Sequence, residues 1–332
     1  FTSTTPSRRD LTNIPTISID NADTVDRDDA LSIMGNSCRD ATETVFVLAI
    51  HITDVGALIP YEGPMDTEAN KRMSTLYIPE GRIDMLPSKI VRGIGSLDPG
   101  ERRAALTVMA HVTDSGRVVK SEIFPSIVRS DGALAYKDAD ESLGDEKSPW
   151  HQILSSLTLA ARSLRMHREE AGAINMDRRE MSIRAMDPDN VEVNLMERTS
   201  PSRQIVSELM ILANCLMAEY CVVNAVPTIY RSQQAPSLGG PLDDNPTDEP
   251  VRSFIAMKRL APVEISTHAG PHKVLGVDPY LQATSPLRRY PDLLIQRQIS
   301  HHLGTGGALY STEEMASVGQ RAEVQMKELG RI

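Results

Sequence analysis

The sequence predicts an α/β (α+β) fold in a single domain, with a strand-rich first half and helices packed around a mixed sheet. Its 332 residues are 40% hydrophobic, which is enough for one large core. Strand-like apolar runs lie mainly before residue 130, and helical apolar spacing dominates after residue 150. No internal repeat and no shift in composition divides the chain into smaller parts.

The strand predictions follow the chain from its N-terminal end. The run IPTISID at 14–20 is strand-like, and apolar alternation resumes at 30–33 after an acidic loop. Glu43–Ile52 is rich in β-branched and large apolar residues, which predicts a buried strand. The segments 104–112 and 118–127 predict two further strands, because an Asp-Ser-Gly turn separates them.

Helical signals dominate the second half of the chain. Serine followed by proline is a helix start signal, because serine caps the helix and proline fits its first turn. The predicted helices are Trp150–Ala171, a helix from Ser200-Pro201, Leu287–Leu303 after Ser285-Pro286, and a last helix from near Ser311. The polar stretch Lys137–Ser148 and the Pro/Gly/Asp-rich stretch 231–250 predict loops.

Charge and cysteine content limit the classes of function. A net charge of −10 favours a protein that does not bind nucleic acid, or one that binds it through a local basic channel. Cys38, Cys215 and Cys221 show no paired pattern, so we expect a reducing compartment, cytoplasmic or organellar, and no secretion. We expect no membrane span. Because the chain begins with Phe1, we also expect its native N-terminus to be missing.

The densest chemical signal is a cluster of aspartates, Asp20, Asp26, Asp28 and Asp29, within ten residues. Crowded carboxylates repel one another, which raises their pKa values unless cations share the site. Mg²⁺ prefers such oxygen ligands together with water and phosphate. The EF-hand pattern fails, because the loop lacks the required glycine and the closing glutamate. The spacing alone leaves a catalytic metal site and a solvated acidic turn as alternatives.

Six segments widen this signal to the whole chain, and in order they are IPTISIDNADTVDRDDALSI, AIHITDVG, TLYIPEGRIDMLP, SLDPGERRAAL, IVSELMILAN and ATSPLRRYPDLLIQR. Together they resemble the RNB catalytic domain of the ribonuclease II / ribonuclease R family, whose relatives include Dis3 and organellar exoribonucleases. The resemblance extends from about residue 10 to about residue 303 and outweighs the charge argument. We therefore expect one RNB domain over 1–332, with a C-terminal helix at 311–330 and without the flanking OB-fold RNA-binding domains.

The resemblance implies a Mg²⁺-dependent, hydrolytic and processive 3′-to-5′ exoribonuclease that releases 5′-mononucleotides from single-stranded RNA. Asp20, Asp26, Asp28 and Asp29 match the family's active-site aspartates, which would hold one or two Mg²⁺ ions, with Mn²⁺ able to substitute. Asp28 and Arg288 are the implied catalytic residues, since Arg288 matches the arginine that grips the scissile phosphate.

Three further residues would bind the end of the RNA. Tyr77 matches a tyrosine that stacks on the 3′-terminal base, although a half-buried tyrosine beside a proline turn is the alternative. Glu208 lies on an apolar helix, where an acid is costly unless partnered, and the family's acidic residue there binds the terminal ribose. Met176 stands where some relatives carry an aromatic base clamp. His51 is expected to be a core histidine without a chemical role.

Two other functions compete with the exoribonuclease. One is a catalytically weak or inactive RNB-like protein that binds RNA or serves as a scaffold. The other is a two-metal phosphodiesterase acting on DNA or a small nucleotide. The expected partners are single-stranded RNA and an accessory RNA-binding protein or domain, with no membrane partner.

Overall fold

The structure, a computed structural model, describes residues 7–39, 43–174, 180–187, 190–196, 199–236 and 258–329. Its strands are β1 (Arg9–Asp10), β2 (Ile17–Asp20), β3 (Asp29–Arg39), β4 (Glu43–Thr53), β5 (Leu76–Ile78), β6 (Gly81–Ile83), β7 (Arg102–Thr113), β8 (Val118–Arg129), β9 (Gly132–Ala135), β10 (Glu180–Asp187), β11 (Asn190–Met196), β12 (Tyr230–Ser232) and β13 (Glu264–Ser266). Its helices are α1 (Val55–Leu58), α2 (Pro64–Arg72), α3 (Tyr136–Gly144), α4 (His151–Glu170), α5 (Pro201–Val223), α6 (Tyr290–Thr305) and α7 (Thr312–Leu329), with a π-helical turn at Ile90–Ile94.

The central element is a seven-stranded mixed sheet in the order β1-β8-β7-β4-β3-β2-β9. The inner pairs are antiparallel, whereas both edge pairs, β1 with β8 and β2 with β9, are parallel. Parallel pairing needs a long connection, so both edges join strands that are far apart in sequence. On one edge Asp20 aligns with Ala135, which places the end of β2 beside the start of α3.

The helices pack on the sheet and complete one large hydrophobic core. α5 contributes most clearly, because Ile205, Leu209, Leu212 and Leu216 follow a helical period and are buried. The expectation that no segment is long and apolar enough to span a membrane is wrong, because α5 meets both criteria. The same features suit a core helix, and 56% of its most apolar window is buried inside this fold.

A row of hydrogen-bonded polar side chains crosses the interior of the sheet. Ser32 Oγ lies 2.8 Å from Thr16 Oγ1 and 3.0 Å from His51 Nε2. His51 Nδ1 lies 2.9 Å from Thr107 Oγ1, which in turn lies 2.6 Å from Ser126 Oγ. Burial lowers the pKa of His51 to about 3, so this histidine is neutral. It is a hydrogen-bonded core residue, as the sequence predicts.

The elements that differ from the sequence predictions include α3, the start of α6 and the hairpin β10–β11. The predicted loop at 137–148 is wrong, because α3 occupies most of it with Ala139 as its buried residue. The helix predicted at Leu287–Leu303 begins instead at Tyr290, because the backbone of Arg289 is extended (φ −134°, ψ 120°). The hairpin β10–β11 was not predicted. Of the predicted loop at 231–250, residues 231 and 232 belong instead to β12, and the part from 237 onward lies outside the described residues.

Candidate active site

The acidic loop lies between two neighbouring strands of the sheet. Asp20 is the last residue of β2 and Asp29 is the first residue of β3. The backbone between them is fixed, because the carbonyl of Asp28 accepts a hydrogen bond from Thr53 N at 2.8 Å and that of Arg27 accepts one from Leu97 N at 3.0 Å. The four aspartates are therefore held at one end of the sheet.

Asp28 is the aspartate most closely tied to the distant arginine motif. The N–H of Leu287 donates to Asp28 Oδ1 at 2.9 Å, and Arg288 Nε lies 3.4 Å from Asp28 Oδ2. Asp28 is only 5% exposed, whereas the Arg288 side chain is 41% exposed. The guanidinium is therefore held against a buried carboxylate while part of it faces solvent.

Tyr77 is placed beside Arg288 by backbone pairing. Thr75 N donates to the carbonyl of Arg288 at 3.0 Å, and Ser74 forms an isolated β-bridge with Arg289. β5 begins directly after this segment and carries Tyr77, whose surface is 55% exposed. Tyr77 and Arg288 line the same cavity of about 270 Å³, so the predicted base-stacking and phosphate-binding residues are neighbours.

Asp26 has a partner that the sequence did not indicate. Arg82 Nη1 donates to Asp26 Oδ1 at 2.7 Å, and Arg82 lies opposite Tyr77 in the β5–β6 hairpin. The other carboxylate oxygen, Oδ2, is buried and has no hydrogen-bond partner among the described residues. A buried acceptor without a donor is costly unless it serves another ligand.

The aspartates share a strongly perturbed electrostatic environment. Burial, followed by repulsion from Asp29, raises the pKa of Asp20 to about 8. Burial raises the pKa of Asp28 to about 7 and that of Asp29 to about 6, and the charge of Arg288 opposes both shifts. Without a cation, some of these carboxyl groups therefore hold protons near neutral pH.

The residues present fit a divalent cation in donor type and charge. Their oxygens are the ligands that Mg²⁺ prefers. Burial raises the pKa values of Asp20 and Asp28, so their negative charges are not balanced by the groups around them. Oδ2 of Asp26 also accepts no hydrogen bond from the described residues. Within the described residues, however, no three His, Cys, Asp or Glu side chains converge as a ready-made metal site. Asp20, Asp26, Asp28 and Asp29 would supply the ligands after side-chain adjustment.

Tyr136 is a second site residue that the sequence did not indicate. It follows Ala135, the residue of β9 that aligns with Asp20, and it begins α3. Burial raises the pKa of Tyr136, and the charges of Asp20 and Asp29 raise it further. Its phenol therefore lies close to the Asp20 end of the cluster. No local pattern could have identified Tyr136, because a parallel strand pair brings it there.

Glu208 is placed elsewhere. Arg168 Nε and Nη2 donate to the two carboxylate oxygens of Glu208 at 2.8 Å and 2.5 Å. The pair lines a cavity of about 580 Å³ between α4 and α5, and none of the four aspartates is among its described lining residues. The contact of Glu208 with a terminal ribose stays a prediction, and Arg168 would have to release an oxygen for it. Met176 lies outside the described residues.

The sequence comparisons identify related ribonucleases. The family model of the RNB domain matches residues 8–305. The chain is 33% identical over 319 residues to the uncharacterized ribonuclease sll1290 of Synechocystis sp.. The alignment covers 94% of this chain and 46% of the relative. It is 26% identical over 365 residues to ribonuclease R of Escherichia coli, in an alignment that covers 96% of this chain and 44% of that protein. The chain thus spans less than half the length of these curated relatives.

Solved structures share the fold at lower sequence identity. Mycoplasma genitalium RNase R in complex with ribose methylated single-stranded RNA superposes with a TM-score of 0.84 at 21% identity, covering 98% of this chain and 57% of that one. Yeast Ssd1, a pseudonuclease, superposes with a TM-score of 0.76 at 16% identity, covering 99% and 44%. Likeness at this level concerns the fold, so any activity has to be argued from the site.

Proposed function

Because this chain belongs to the RNB domain family, we propose that it is a divalent-cation-dependent ribonuclease. In this proposal it hydrolyses single-stranded RNA processively from the 3′ end and releases 5′-mononucleotides. The observation that carries the proposal is the contact of buried Asp28 with Leu287 N and Arg288, which joins the acidic cluster to a phosphate-binding arginine. The fold alone does not carry it, since the pseudonuclease Ssd1 shares that fold.

Arg288 is the proposed phosphate-binding residue. Ser285 Oγ accepts a hydrogen bond from Arg288 Nη2 at 2.9 Å, and Asp28 lies beside Nε, so the plane of the guanidinium is fixed from two sides. A fixed guanidinium can donate two parallel hydrogen bonds to phosphate oxygens. Charge that develops on the phosphate during hydrolysis would then be stabilised without reorganisation of the side chain.

The four aspartates are the proposed ligands of one or two Mg²⁺ ions, for which Mn²⁺ can substitute. Asp20, Asp28 and Asp29 have raised pKa values, so cation binding would release protons from them near neutral pH. The chemistry that a divalent cation supplies at such a site is Lewis acidity toward water and phosphate. The aspartates would fix the position of the cation, and Arg288 would hold the phosphate beside it.

The test of this function is a time course with 5′-labelled single-stranded RNA. In Mg²⁺ we expect full-length RNA to be converted to a short end product with few intermediates, because the proposed hydrolysis is processive, and we expect a complete stop on addition of EDTA that excess Mg²⁺ reverses. Since the 5′-mononucleotides leave from the unlabelled 3′ end, uniformly labelled RNA is used to follow their release. Retardation of intact RNA on a native gel, without shortening, would favour the scaffold alternative. Equal cleavage of DNA of the same sequence would favour a general phosphodiesterase and would contradict the ribose role of Glu208.

Replacing Tyr77 by Ala is expected to lengthen the final oligonucleotide product more than it slows cleavage of long RNA. Stacking of a base on an aromatic ring contributes about 1–3 kcal/mol, and short products depend on it most because they make few other contacts. The measurement is the size distribution of end products from labelled RNA. Tyr77→Phe is the matched control, because it keeps the ring. An unchanged end product in Tyr77→Ala would contradict stacking.

We propose the cytoplasm or an organelle as the compartment, because Cys215 and Cys221 are free thiols in the structure. We also propose an accessory RNA-binding domain or protein as a partner. The net charge of −10, from 45 acidic against 35 basic residues, opposes the attraction of long RNA, and an accessory domain or protein would add phosphate contacts.

A further inference from the structure

We propose that Arg203 is a second phosphate-binding arginine of this site, and that it binds the RNA linkage one nucleotide 5′ of the scissile linkage. The inference rests on the proposed ribonuclease function and extends it from the cleaved bond to the path of the strand. It places a substrate contact in the first turn of α5, in addition to the ribose contact predicted for Glu208 on the same helix.

The position of Arg203 is fixed by contacts at the Asp20 end of the acidic cluster. Its Nη2 donates to Asn21 Oδ1 at 3.2 Å, and Asn21 directly follows Asp20 in the chain. The guanidinium carbon lies 4.0 Å from the centre of the Tyr136 ring. Because Ala135 pairs with Asp20, the ring below Arg203 is itself anchored to the end of β2.

The charge of Arg203 is available for an anion. Three other arginines near the cluster pair with carboxylates, namely Arg27 with Asp98, Arg82 with Asp26 and Arg288 with Asp28. Within the described part of the chain, the contacts of Arg203 are instead an amide oxygen and an aromatic ring. Neutral partners orient a guanidinium without neutralising it, so a phosphate could add its full electrostatic attraction.

The helix position of Arg203 strengthens this argument. Its backbone N–H points to the Ser200 cap of α5, and the first turn of that helix contains no acidic residue. A cation near a helix N-terminus is disfavoured by the helix dipole, whereas an anion there is favoured. A bound phosphate would satisfy both the dipole and the guanidinium.

Arg203 and Tyr77 lie at opposite ends of the acidic cluster. Tyr77 shares its cavity with Arg288 and lies across the hairpin from Arg82, the partner of Asp26. Arg203 is tied to Asn21 at the Asp20 end. A strand with its 3′ base on Tyr77 and its scissile phosphate at Arg288 would continue toward Arg203, because Arg288 contacts Asp28 within the cluster and Arg203 contacts Asn21 at its other end. The next phosphate along that strand is the one 5′ of the scissile linkage.

The test compares Arg203→Ala with the parent protein on ApA, which has one linkage, and on ApApA, which has two. Binding is measured in an Asp28→Asn background, in which we expect cleavage to be about 10³-fold slower, so that the oligonucleotides stay intact during the measurement. We expect Arg203→Ala to weaken ApApA binding about tenfold and to leave ApA binding unchanged, because only the trinucleotide reaches Arg203. Arg203→Lys should restore part of the loss, since it restores the charge.

Salt dependence provides a second readout. Each phosphate contact on a single strand contributes about −0.7 to the slope of log affinity against log salt, so Arg203→Ala should make the slope for longer oligonucleotides shallower by about 0.7. Arg165→Ala is the matched control, because Arg165 is an exposed arginine of α4 paired with Glu169. It should leave both the slope and the length dependence unchanged.

Three outcomes would overturn the role of Arg203. They are an equal loss of affinity on ApA and ApApA, no loss on either oligonucleotide, and an unchanged salt slope. A lowered melting temperature together with an equal loss on both would identify Arg203 as structural support for Tyr136. Failure of the parent protein to cleave any RNA would contradict the proposed function instead, and the binding comparison would still decide whether Arg203 contacts a phosphate.

Discussion

Replacing Asp28 by Asn is expected to lower the rate of single-stranded RNA hydrolysis on the order of 10³-fold, the scale seen when a preorganised charge-stabilising group is removed. Asn keeps the shape of Asp28 and can still accept the hydrogen bond from Leu287 N, so the loop geometry should survive. What is lost is the negative charge that holds Arg288 and would bind a cation. The measurement is the single-turnover rate on 5′-labelled RNA.

Asp23→Asn is the matched control for this substitution. Asp23 lies in the same acidic loop and its side chain is exposed, so the loop keeps its length and loses the same formal charge. We expect near-normal rates from Asp23→Asn. Comparable rate losses in both variants would show that the overall charge of the loop matters, and that Asp28 has no special role.

The same Asp28→Asn variant should keep its stability. Burial raises the pKa of Asp28 to about 7, which means that its charged form is destabilised in the folded protein without a cation. At pH 8 and without divalent cations, Asn removes this cost, so the melting temperature should be equal to or higher than that of the parent. A markedly lower melting temperature would mean that the rate loss reflects unfolding.

Mg²⁺ is expected to stabilise the protein much more at pH 8 than at pH 5. Asp20, Asp28 and Asp29 have folded pKa values of about 8, 7 and 6, above the ordinary aspartate value of about 3.9. Between pH 4 and pH 8 the folded protein therefore holds more protons than the unfolded chain. Stability without cations should fall as the pH rises through this window.

Cation binding should reverse that fall, because Mg²⁺ replaces the protons on the carboxylates. At a hundredfold excess over its dissociation constant, a ligand specific for the folded state adds about 2.7 kcal/mol to the free energy of unfolding. We expect an effect of this size at pH 8 and a small one at pH 5, where protons compete. Thermal melts with and without Mg²⁺ at several pH values measure it. An equal Mg²⁺ effect at both pH values, or an unchanged profile in Asp20→Asn, would contradict the assignment.

The parts of the fold with strong local signals were predictable from the sequence. Glu43–Ile52 was predicted as a buried strand and is β4, because its β-branched and apolar residues leave few alternatives. α3 was missed because its polar sequence places only Ala139 in the core. Its support is tertiary, since Asp140 accepts a hydrogen bond from Ser202 N at the start of α5. A single-segment pattern does not contain such a contact.

In the candidate site, too, residues with a local sequence signal were predictable and residues placed by tertiary contacts were not. The aspartates could be found because they are adjacent in sequence, and Arg288 because it lies in a dense motif. Arg82 and Tyr136 reach the aspartates only through a hairpin register and a parallel strand pair. Nothing near either residue in the sequence indicates those neighbours. Glu208 was noticed because an acid on an apolar helix needs a partner, and Arg168 is the partner that the structure supplies.

The contact between Asp28 and Leu287 has a consequence during protein synthesis, because it joins residues 259 positions apart. A ribosome translating this chain would expose the aspartates long before Leu287 and Arg288 emerge from its exit tunnel. Until then the growing polypeptide holds the four aspartates without the two residues that contact Asp28. We expect the contact between Asp28 and Arg288, and any hydrolytic activity that depends on it, to form only after Arg288 has left the exit tunnel.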